Sequence, residues 1–393
     1  MRRHAIDVRK DWQKKVERVG LTYHTLESGL PYWDESAYWE FSAAEIDRLE
    51  AATAELQQMA LAAGDAILER GWLSRMGIPE AAKRAIRATW QSEPPALYSR
   101  MDLAYDGRTI KLLEYNADTP TALVEAAVAQ WYWLEDRFPE RDQFNSLHEK
   151  LVAKWKDLKP YLSEPVYFTH DGATHDGAWE DAMTVAYLAD TAQQAGIDTK
   201  TLAMRQIGWD SDRTLFVDMR NRPIETVFKL YPWEWLLKDR FGEHALATMN
   251  AESQKPVKGK VQWIEPAWKM LWSNKALLAI LWELYPEHEL LLPAYLDDPH
   301  KMQNYVRKPL LGREGAGVSV FRNYAWQEGA PVKADAGEDG FVYQAMASLA
   351  QIDKGAMIVG SWLIDGEPAG MGIRESDGMI TTNTSRFVPH LFR

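Results

Sequence analysis

Cysteine is missing from all 393 residues, which excludes disulfides, thiolate metal sites, iron–sulfur clusters and a cysteine nucleophile. Long apolar runs are missing too: nothing approaches the ~18 residues of a membrane-spanning helix. The basic start, Met1-Arg2-Arg3-His4 through Lys14-Lys15, has no apolar stretch behind it and does not read as a signal peptide. A cytoplasmic location is expected. There is no excess of positive charge: 57 Asp and Glu against 45 Lys and Arg give a formal charge of −12. That balance argues against a general nucleic-acid or anionic-membrane binder, although local basic residues can still hold a nucleotide. The nine His show no metal-ligand pair at helical spacing, which argues against a zinc enzyme; His148, His288 and His390 read as ordinary residues. Repeats and low-complexity segments are absent. An apolar fraction of 46% and a charged fraction of 26% describe a globular chain with a sizeable core, and most of the 18 Trp are expected in it.

The most informative segment is Tyr98-Ser99-Arg100-Met101-Asp102, a turn at Asp106-Gly107, then Lys111-Leu112-Leu113-Glu114-Tyr115-Asn116-Ala117-Asp118-Thr119. It reads as a β-hairpin, and loop length decides what its faces carry. A two-residue loop would place Asp102 and Glu114 on opposite faces. A three-residue loop, Tyr105-Asp106-Gly107 with Gly107 left-handed, puts Arg100, Asp102, Glu114 and Asn116 together. The other face then shows Met101, Leu103, Leu113 and Tyr115, with Lys111 its only charge. The three-residue register is expected, because it alone separates an apolar face from a chemical one. Mg²⁺ takes oxygen ligands from one or two carboxylates and shares the rest with water and phosphate. Asp102, Glu114 and the Asn116 amide fit that description, with Arg100 facing phosphate oxygens. A solvated face of surface ion pairs is the alternative.

Around the hairpin, Ser42-Ala43-Ala44-Glu45 is a capping box opening a helix through Ile46, Leu49, Leu56, Met59 and Ala63. Further helices are expected over Glu80 to Trp90, Leu123 to Trp133 and Phe144 to Tyr161. From Pro165 the pattern becomes strand (Val166 to Thr169), helix (Glu180 to Ala195), strand (Thr201 to Met204). Later strands are expected at Thr214 to Val217 and Thr226 to Leu230, which suggests a small parallel-sheet unit ending near residue 250. The polar, lysine-rich stretch Glu252 to Gly259 reads as a link. Beyond it come a helix, Ala276 to Tyr285, and strands at Val306 to Lys308, Val318 to Phe321, Phe341 to Gln344, Met357 to Leu363 and Ala369 to Ile373. These should fold as one unit with the hairpin.

That last stretch carries a second constellation. Ser273 reads as the N-cap of its helix and places Lys275 in the first turn, where a cation opposes the helix dipole and is useful only if it meets an anion. Arg307-Lys308-Pro309-Leu310-Leu311-Gly312-Arg313-Glu314-Gly315-Ala316-Gly317 is a glycine-rich loop between strands. It matches neither the Walker loop nor the dinucleotide fingerprint. It reads as a lid whose amides approach phosphate oxygens, with Lys308 supplying charge. A tolerated surface lysine and a plain hairpin connection are the bland alternatives.

Taken together, the hairpin, Ser273-Asn274-Lys275-Ala276-Leu277-Leu278, Val306-Arg307-Lys308-Pro309 and Gly312-Arg313-Glu314-Gly315 resemble the glutathionylspermidine synthase family, from about His24-Thr25 to Ser385-Arg386-Phe387. The chain is most similar to its stand-alone bacterial members, without an amidase domain. The resemblance implies an α/β (α+β) chain of ATP-grasp fold with a small parallel-sheet pre-ATP-grasp domain. Residues 1–393 would form one ligase. It would comprise a helical part with the metal hairpin (1–164, hairpin 96–121), a small substrate domain (165–255) and a nucleotide-binding part with the glycine lid (256–393). It implies ATP and one or two Mg²⁺ ions as cofactors, and small-molecule acid and amine partners. Asp102, Glu114 and Asn116 match the metal ligands, and Arg100 the phosphate-contacting arginine. Lys275 and Lys308 match the ATP lysines; Gly315 lies in the lid. Gln344, with Ala345 and Met346, falls on the segment that contacts adenine, while Arg374 lies near the phosphates and Met101, Met379 and Ile380 contact nucleotide. Thr119 and Glu180 fall where the family binds its acid. Arg386 puts a cation where a polyamine site would use a carboxylate, which argues against spermidine.

The expected activity is a carboxylate–amine ligase working through an acyl phosphate, with Arg100, Lys308 and Arg374 as its catalytic cations and glutathione or a related peptide as the acid. Two other classes compete: a nucleotide-binding regulator with a degenerate ATP-grasp site, and a Trp-rich carbohydrate-binding module holding Ca²⁺. The intact carboxylates and lysines argue against the first, and Lys275 and Lys308 have no use in the second. Oligomeric state is left open.

Overall fold

The computed structural model describes residues 1–172, 178–313, 315–329, 339–352, 355–382 and 384–393. Helix α1 (Ala43–Glu69) starts at the expected capping box: Ser42 Oγ accepts from the Glu45 amide and Glu45 returns a bond to the Ser42 amide. Its Gly64 faces Trp90 on helix α2 (Glu80–Ser92), and a Cβ there would lie 2.1 Å from the indole ring. Trp90 meets Trp268 and Trp272 edge-on, so making room at Gly64 would disturb those contacts. Gly64→Ala is expected to cost about 1–3 kcal/mol by overpacking, read as a lower urea midpoint at unchanged slope.

Strands β1 (Tyr98–Tyr105) and β2 (Ile110–Asn116) form the hairpin. Its loop has four residues, not three: Tyr105 pairs with Ile110. The Asp106 side chain accepts from the amides of Arg108 and Thr109 at 2.9 and 2.8 Å, closing an Asx turn, and Gly107 takes the positive φ of 91°. On its own this loop would set Asp102 opposite Leu113. A β-bulge corrects it, pairing Leu103 with Leu112 but Asp102 with Glu114 and Arg100 with Asn116. The expected chemical face is therefore present by a different route, and Leu112, not Leu113, joins the core on the other side. The single helix expected over Leu123 to Trp133 is instead a π-turn (Glu125–Ala129) running into a helix (Gln130–Arg137). Helix α3 (Leu147–Leu158) follows.

Next comes a four-stranded sheet, all parallel: β3 (Val166–His170), then helix α4 (Ala178–Gln194), β4 (Thr199–Ala203), β5 (Thr226–Leu230) and β6 (Gln262–Ile264), in the spatial order β6-β5-β3-β4. Two expectations change here. Leu215–Val217 pairs antiparallel with Gly208–Asp210 in a ribbon of its own, and the fourth parallel strand, β6, lies beyond the polar link.

Helix α5 (Ala276–Leu284) precedes a run of strands: β7 (Ala294–Leu296), β8 (Tyr305–Pro309), β9 (Ser319–Arg322), β10 (Ala325–Glu328), β11 (Phe341–Ala345), β12 (Ala350–Ile352), β13 (Gly355–Ile364), β14 (Glu367–Ser376) and β15 (Arg386–Val388); a last strand, His390–Phe392, joins Ala37–Phe41 and Arg2–Ala5 in a small sheet of its own. Five of the run β7 to β15 make an antiparallel sheet in the order β7-β11-β8-β9-β10. The others recruit the hairpin into a six-stranded sheet, β15-β14-β13-β1-β2 with β12 on β13. The hairpin thus folds with the C-terminal strands, as expected. The chain is a mixed α/β structure of several sheets. Trp33, Trp133, Trp155, Trp233 and Trp362 are among its largest fully buried side chains, in line with the core reading of tryptophan. Among the described residues, no helix is long and apolar enough to cross a membrane.

Candidate active site between two antiparallel sheets

A cavity of about 640 Å³ separates the six-stranded sheet from the five-stranded one. The bulge brings both of its walls together. Lys308, on β8, donates to the bulged Leu113 carbonyl at 2.6 Å and to Gln344 Oε1 at 2.7 Å. Gln344 in turn donates from Nε2 to the Leu112 carbonyl at 2.9 Å. An extra residue in one strand leaves backbone groups outside the ladder, and here they bind the facing sheet.

On the β1–β2 wall, Arg100 forks onto Asp102 (Nε–Oδ1 2.7 Å, Nη2–Oδ2 3.1 Å) and donates to the Thr121 carbonyl at 2.7 Å. Gly360, opposite Asp102 on β13, leaves room for its stem, since a Cβ there would sit 3.0 Å from Arg100 Cδ. Burial disfavours this guanidinium, but Asp102 and Glu114 outweigh that and hold it charged. Lys275 reaches Glu114 at 3.1 Å and the Gly312 carbonyl at 2.8 Å. Each carboxylate therefore already faces a cation, and the Asn116 amide has no partner among the described residues. Two carboxylates opposed across one strand pair, with an amide oxygen two residues on, suit a hard divalent ion whose other positions go to water and phosphate. Among the described residues there is no cluster of three or more His, Cys, Asp or Glu, so the amide is needed to complete the set.

Burial pushes Lys308 down to about 8, an effect that Glu114 and Asp102 oppose and Lys275 reinforces. The unfolded chain holds this proton up to the ordinary lysine range, so the folded state gains stability as pH rises from about 8 toward that range. For an anionic ligand the sign is opposite: affinity is greatest below about 8, where Lys308 is charged. Titrating Mg·ATP from pH 7 to 10 should show weakening of up to about tenfold per pH unit above 8, and Lys308→Arg should flatten it.

Arg374, on β14, donates to the Thr382 carbonyl at 2.6 Å and lies over the Phe387 ring, while its buried Nε has no partner among the described residues. Gly315 has a φ of 73°, and a Cβ there would meet the Thr381 carbonyl at 2.5 Å, so only glycine lets the lid lie against the Met379–Thr381 segment. Glu314 lies outside the described residues. Thr119, Ala345, Met346, Met379 and Ile380 also line the cavity. Met101 does not: its side chain is buried in the core. Ser273 is not an N-cap. It ends a short helix (Met270–Ser273) and its Oγ accepts from the amides of Ala117 and Asp118, while Asn274 caps Ala276. Lys275 thus sits just before α5, not in its first turn.

Glu180, in the first turn of α4, is buried behind the cavity rather than lining it. It acts on Glu125, which burial and Glu180 push up to about 7; Tyr32 donates to Glu125 at 2.9 Å. One oxygen of each carboxyl is buried without a partner among the described residues. Glu125 went unseen in the sequence, where it is one acidic residue in an Ala-rich run; only the contact with residues 32 and 180 marks it. Arg313 of the lid, also missed, reaches Asp181 at 3.2 Å. Arg386 is surrounded by Asp377, Asp34 and Glu375 at 2.9, 3.8 and 3.8 Å. Its charge is thus met by carboxylates of the chain itself.

Residues 3–393 match the family model described as "Glutathionylspermidine synthase preATP-grasp". The chain belongs to this family. It is 41% identical, over 98% of its length and 97% of the other's, to a Haemophilus influenzae protein named "Putative acid--amine ligase". It is 28% identical to the trypanothione synthetase of Crithidia fasciculata over 79% of this chain and 49% of that one. With the bifunctional glutathionylspermidine synthetase/amidase of Escherichia coli, identity is 26% over 90% of this chain and 58% of that one. These relatives are named as an acid–amine ligase and as synthetases, and this chain spans only half to three-fifths of the two longer ones. In fold it is similar to the apo form of a glutathione synthetase-like effector from Globodera pallida, with a TM-score of 0.55 over 98% and 96% of the two chains at 8% identity.

Proposed function

We propose that this protein is an ATP- and Mg²⁺-dependent ligase of the ATP-grasp type, joining a small carboxylic acid to a small amine. The observation that carries this reading is the convergence in one cavity of opposed Asp102 and Glu114, the Asn116 amide, and Arg100, Lys308 and Arg374. Of the expected divisions, the parallel-sheet unit of 165–255 would extend to take in β6, and the hairpin within 1–164 would work with the lid-bearing part of 256–393, whose strands it pairs with. Asp102, Glu114 and Asn116 would hold the metal, which when bound neutralises phosphate charge. Lys275 and Lys308 would leave their present partners for phosphate oxygens. The backbone of Ala345, Met346, Met379 and Ile380 would face the nucleotide.

Chemistry follows from those charges. The acid's carboxylate oxygen attacks the γ-phosphorus, the bond to the β-phosphate oxygen breaks, and ADP leaves. Arg100, Lys308 and Arg374 oppose the charge spread over the phosphoryl oxygens. The amine nitrogen then attacks the acyl carbon, phosphate leaves with the bonding pair, and the ammonium proton passes to a base. The glycine lid, latched by Arg313 to Asp181, would keep water from the acyl phosphate. Thr119 would position the acid, with glutathione or a related peptide as the first candidate; Glu180, which does not line the cavity, would act on it only from behind the wall.

The test is phosphate release from Mg·ATP against a panel of acid–amine pairs, with glutathione and short acidic peptides as acids and polyamines, amino acids and water as acceptors. Release that requires both partners supports a ligase and names its substrates. Mg·ATP binding that is unchanged in Glu114→Ala would sink the metal-site reading.

A further inference from the structure

A second cavity, about 830 Å³, shares no lining residue with the first and meets the β1–β2 ribbon from its other face, at Ser99. Trp90, Trp268 and Trp272 form one wall. The three indoles meet edge to face, with centroids 4.6–6.0 Å apart and planes 79–87° from one another. Pro94, Pro95 and Tyr161 add further apolar surface.

The polar groups of this cavity say what would fit. Gln57, only 4% exposed, accepts from the Tyr115 hydroxyl through Oε1, and among the described residues nothing accepts from its Nε2. A donor is therefore left facing the cavity. The inward cations are already paired, Lys154 with Asp365 and Lys269 with Glu265. Lys156, Glu93, Asp157 and Glu367 stand exposed at the mouth, where water screens them. Gln58 and Gln254 line it too, from exposed positions; with indole walls, one buried amide donor and no unpaired buried charge among the described residues, the complement is a flat, uncharged ring bearing an acceptor.

The cavity also touches the catalytic face through the ribbon. Gln57 binds Tyr115, which lies between Glu114 and Asn116, and the Tyr115 hydroxyl meets Ser99 Oγ at 3.0 Å, next to Arg100. Trp272 stacks on Tyr115 at 5.2 Å and 15°. It adjoins Ser273, which holds the amides of Ala117 and Asp118. We propose that this cavity binds a planar aromatic molecule with a neutral hydrogen-bond acceptor, such as an aryl carboxamide or N-heteroaromatic, and that occupancy alters Mg·ATP affinity across the ribbon. The second half rests on the function proposed above; the first does not.

The probe is benzamide, followed on the full chain by saturation-transfer NMR and calorimetry, with cyclohexanecarboxamide as the non-aromatic control. Benzamide should bind, and the control should bind up to about tenfold more weakly, the worth of an aromatic contact. Gln57→Leu should weaken benzamide by a similar factor. Ala96→Trp, which fills the cavity and leaves the Gln57–Tyr115 bond intact, should abolish binding. Saturating benzamide should shift the Mg·ATP dissociation constant by at least about fivefold, with the reciprocal shift in benzamide affinity. Absence of saturation transfer, equal binding of the control, or binding that survives Ala96→Trp would overturn the site. Binding with no change in Mg·ATP affinity would overturn the coupling. If wild type binds no Mg·ATP at all, the proposed function fails and the benzamide result still decides the site.

Discussion

Arg100→Ala is expected to lower turnover by about 10³–10⁵-fold, the range seen when an arginine opposing phosphoryl charge is lost. Arg100 is the only cation on the hairpin wall of the cavity; Lys275, Lys308 and Arg374 approach from other elements. Its fork onto Asp102 and its bond to Thr121 fix its direction before any ligand arrives, so little is lost in reorganising it. Arg100→Lys keeps the charge but not the fork, and should recover only a small part of the rate. An interaction made chiefly in the transition state lowers kcat with little change in the KM for ATP. Steady-state kinetics on the pair identified by the panel reads both. A variant with wild-type kcat would remove Arg100 from the chemistry. Misfolding is not the expected outcome, because Asp102 lies at the cavity surface and water can solvate it once the guanidinium is gone.

The largest effect on stability should come from Lys229. This fully buried ammonium pairs with Asp118, donates to the Tyr231 carbonyl at 3.1 Å and lies 4.7 Å from the Trp233 ring. Burial lowers its proton affinity and Asp118 opposes that. Asp118 also accepts from the Trp233 amide at 2.9 Å. Lys229→Met leaves a buried carboxylate without its counter-charge and should cost about 3–5 kcal/mol in urea unfolding. Adding Asp118→Asn retains an acceptor for Trp233 and removes the orphan charge, so the double variant should regain much of that loss. A double variant as unstable as the single one would show that the pair is not the source. Since Asp118 ends the turn after Asn116, Lys229→Met should also weaken Mg·ATP binding.

The two constellations were legible in the sequence because strand alternation and glycine spacing are local. Arg100, Asp102, Glu114 and Asn116 share a face, and Lys308 and Gly315 come opposite them, as their patterns suggested. The route to that face was not legible: Leu112-Leu113 offers two equally apolar residues, and nothing local says which one bulges. Ser273 looked like a helix cap because serine often is one; its true partners, Ala117 and Asp118, lie more than 150 residues away. Lys229 in an apolar strand read as a strand residue, since its partner is 111 positions distant. The assignment of Leu215–Val217 failed for the same reason, as a three-residue strand carries too little pattern to name its neighbour.

The bulge at Leu113 has a further consequence, for how the site tolerates change. What holds Lys308 there is a main-chain oxygen, which every residue type supplies. A substitution at position 113 should therefore leave that bond in place and act only through the side chain, which lines the cavity. Deleting that one residue is a different event. The ladder would run straight, Asp102 and Glu114 would still face each other, and Lys308 would be left buried with one acceptor fewer. For the grip on Lys308, what counts is how many residues stand here, not which.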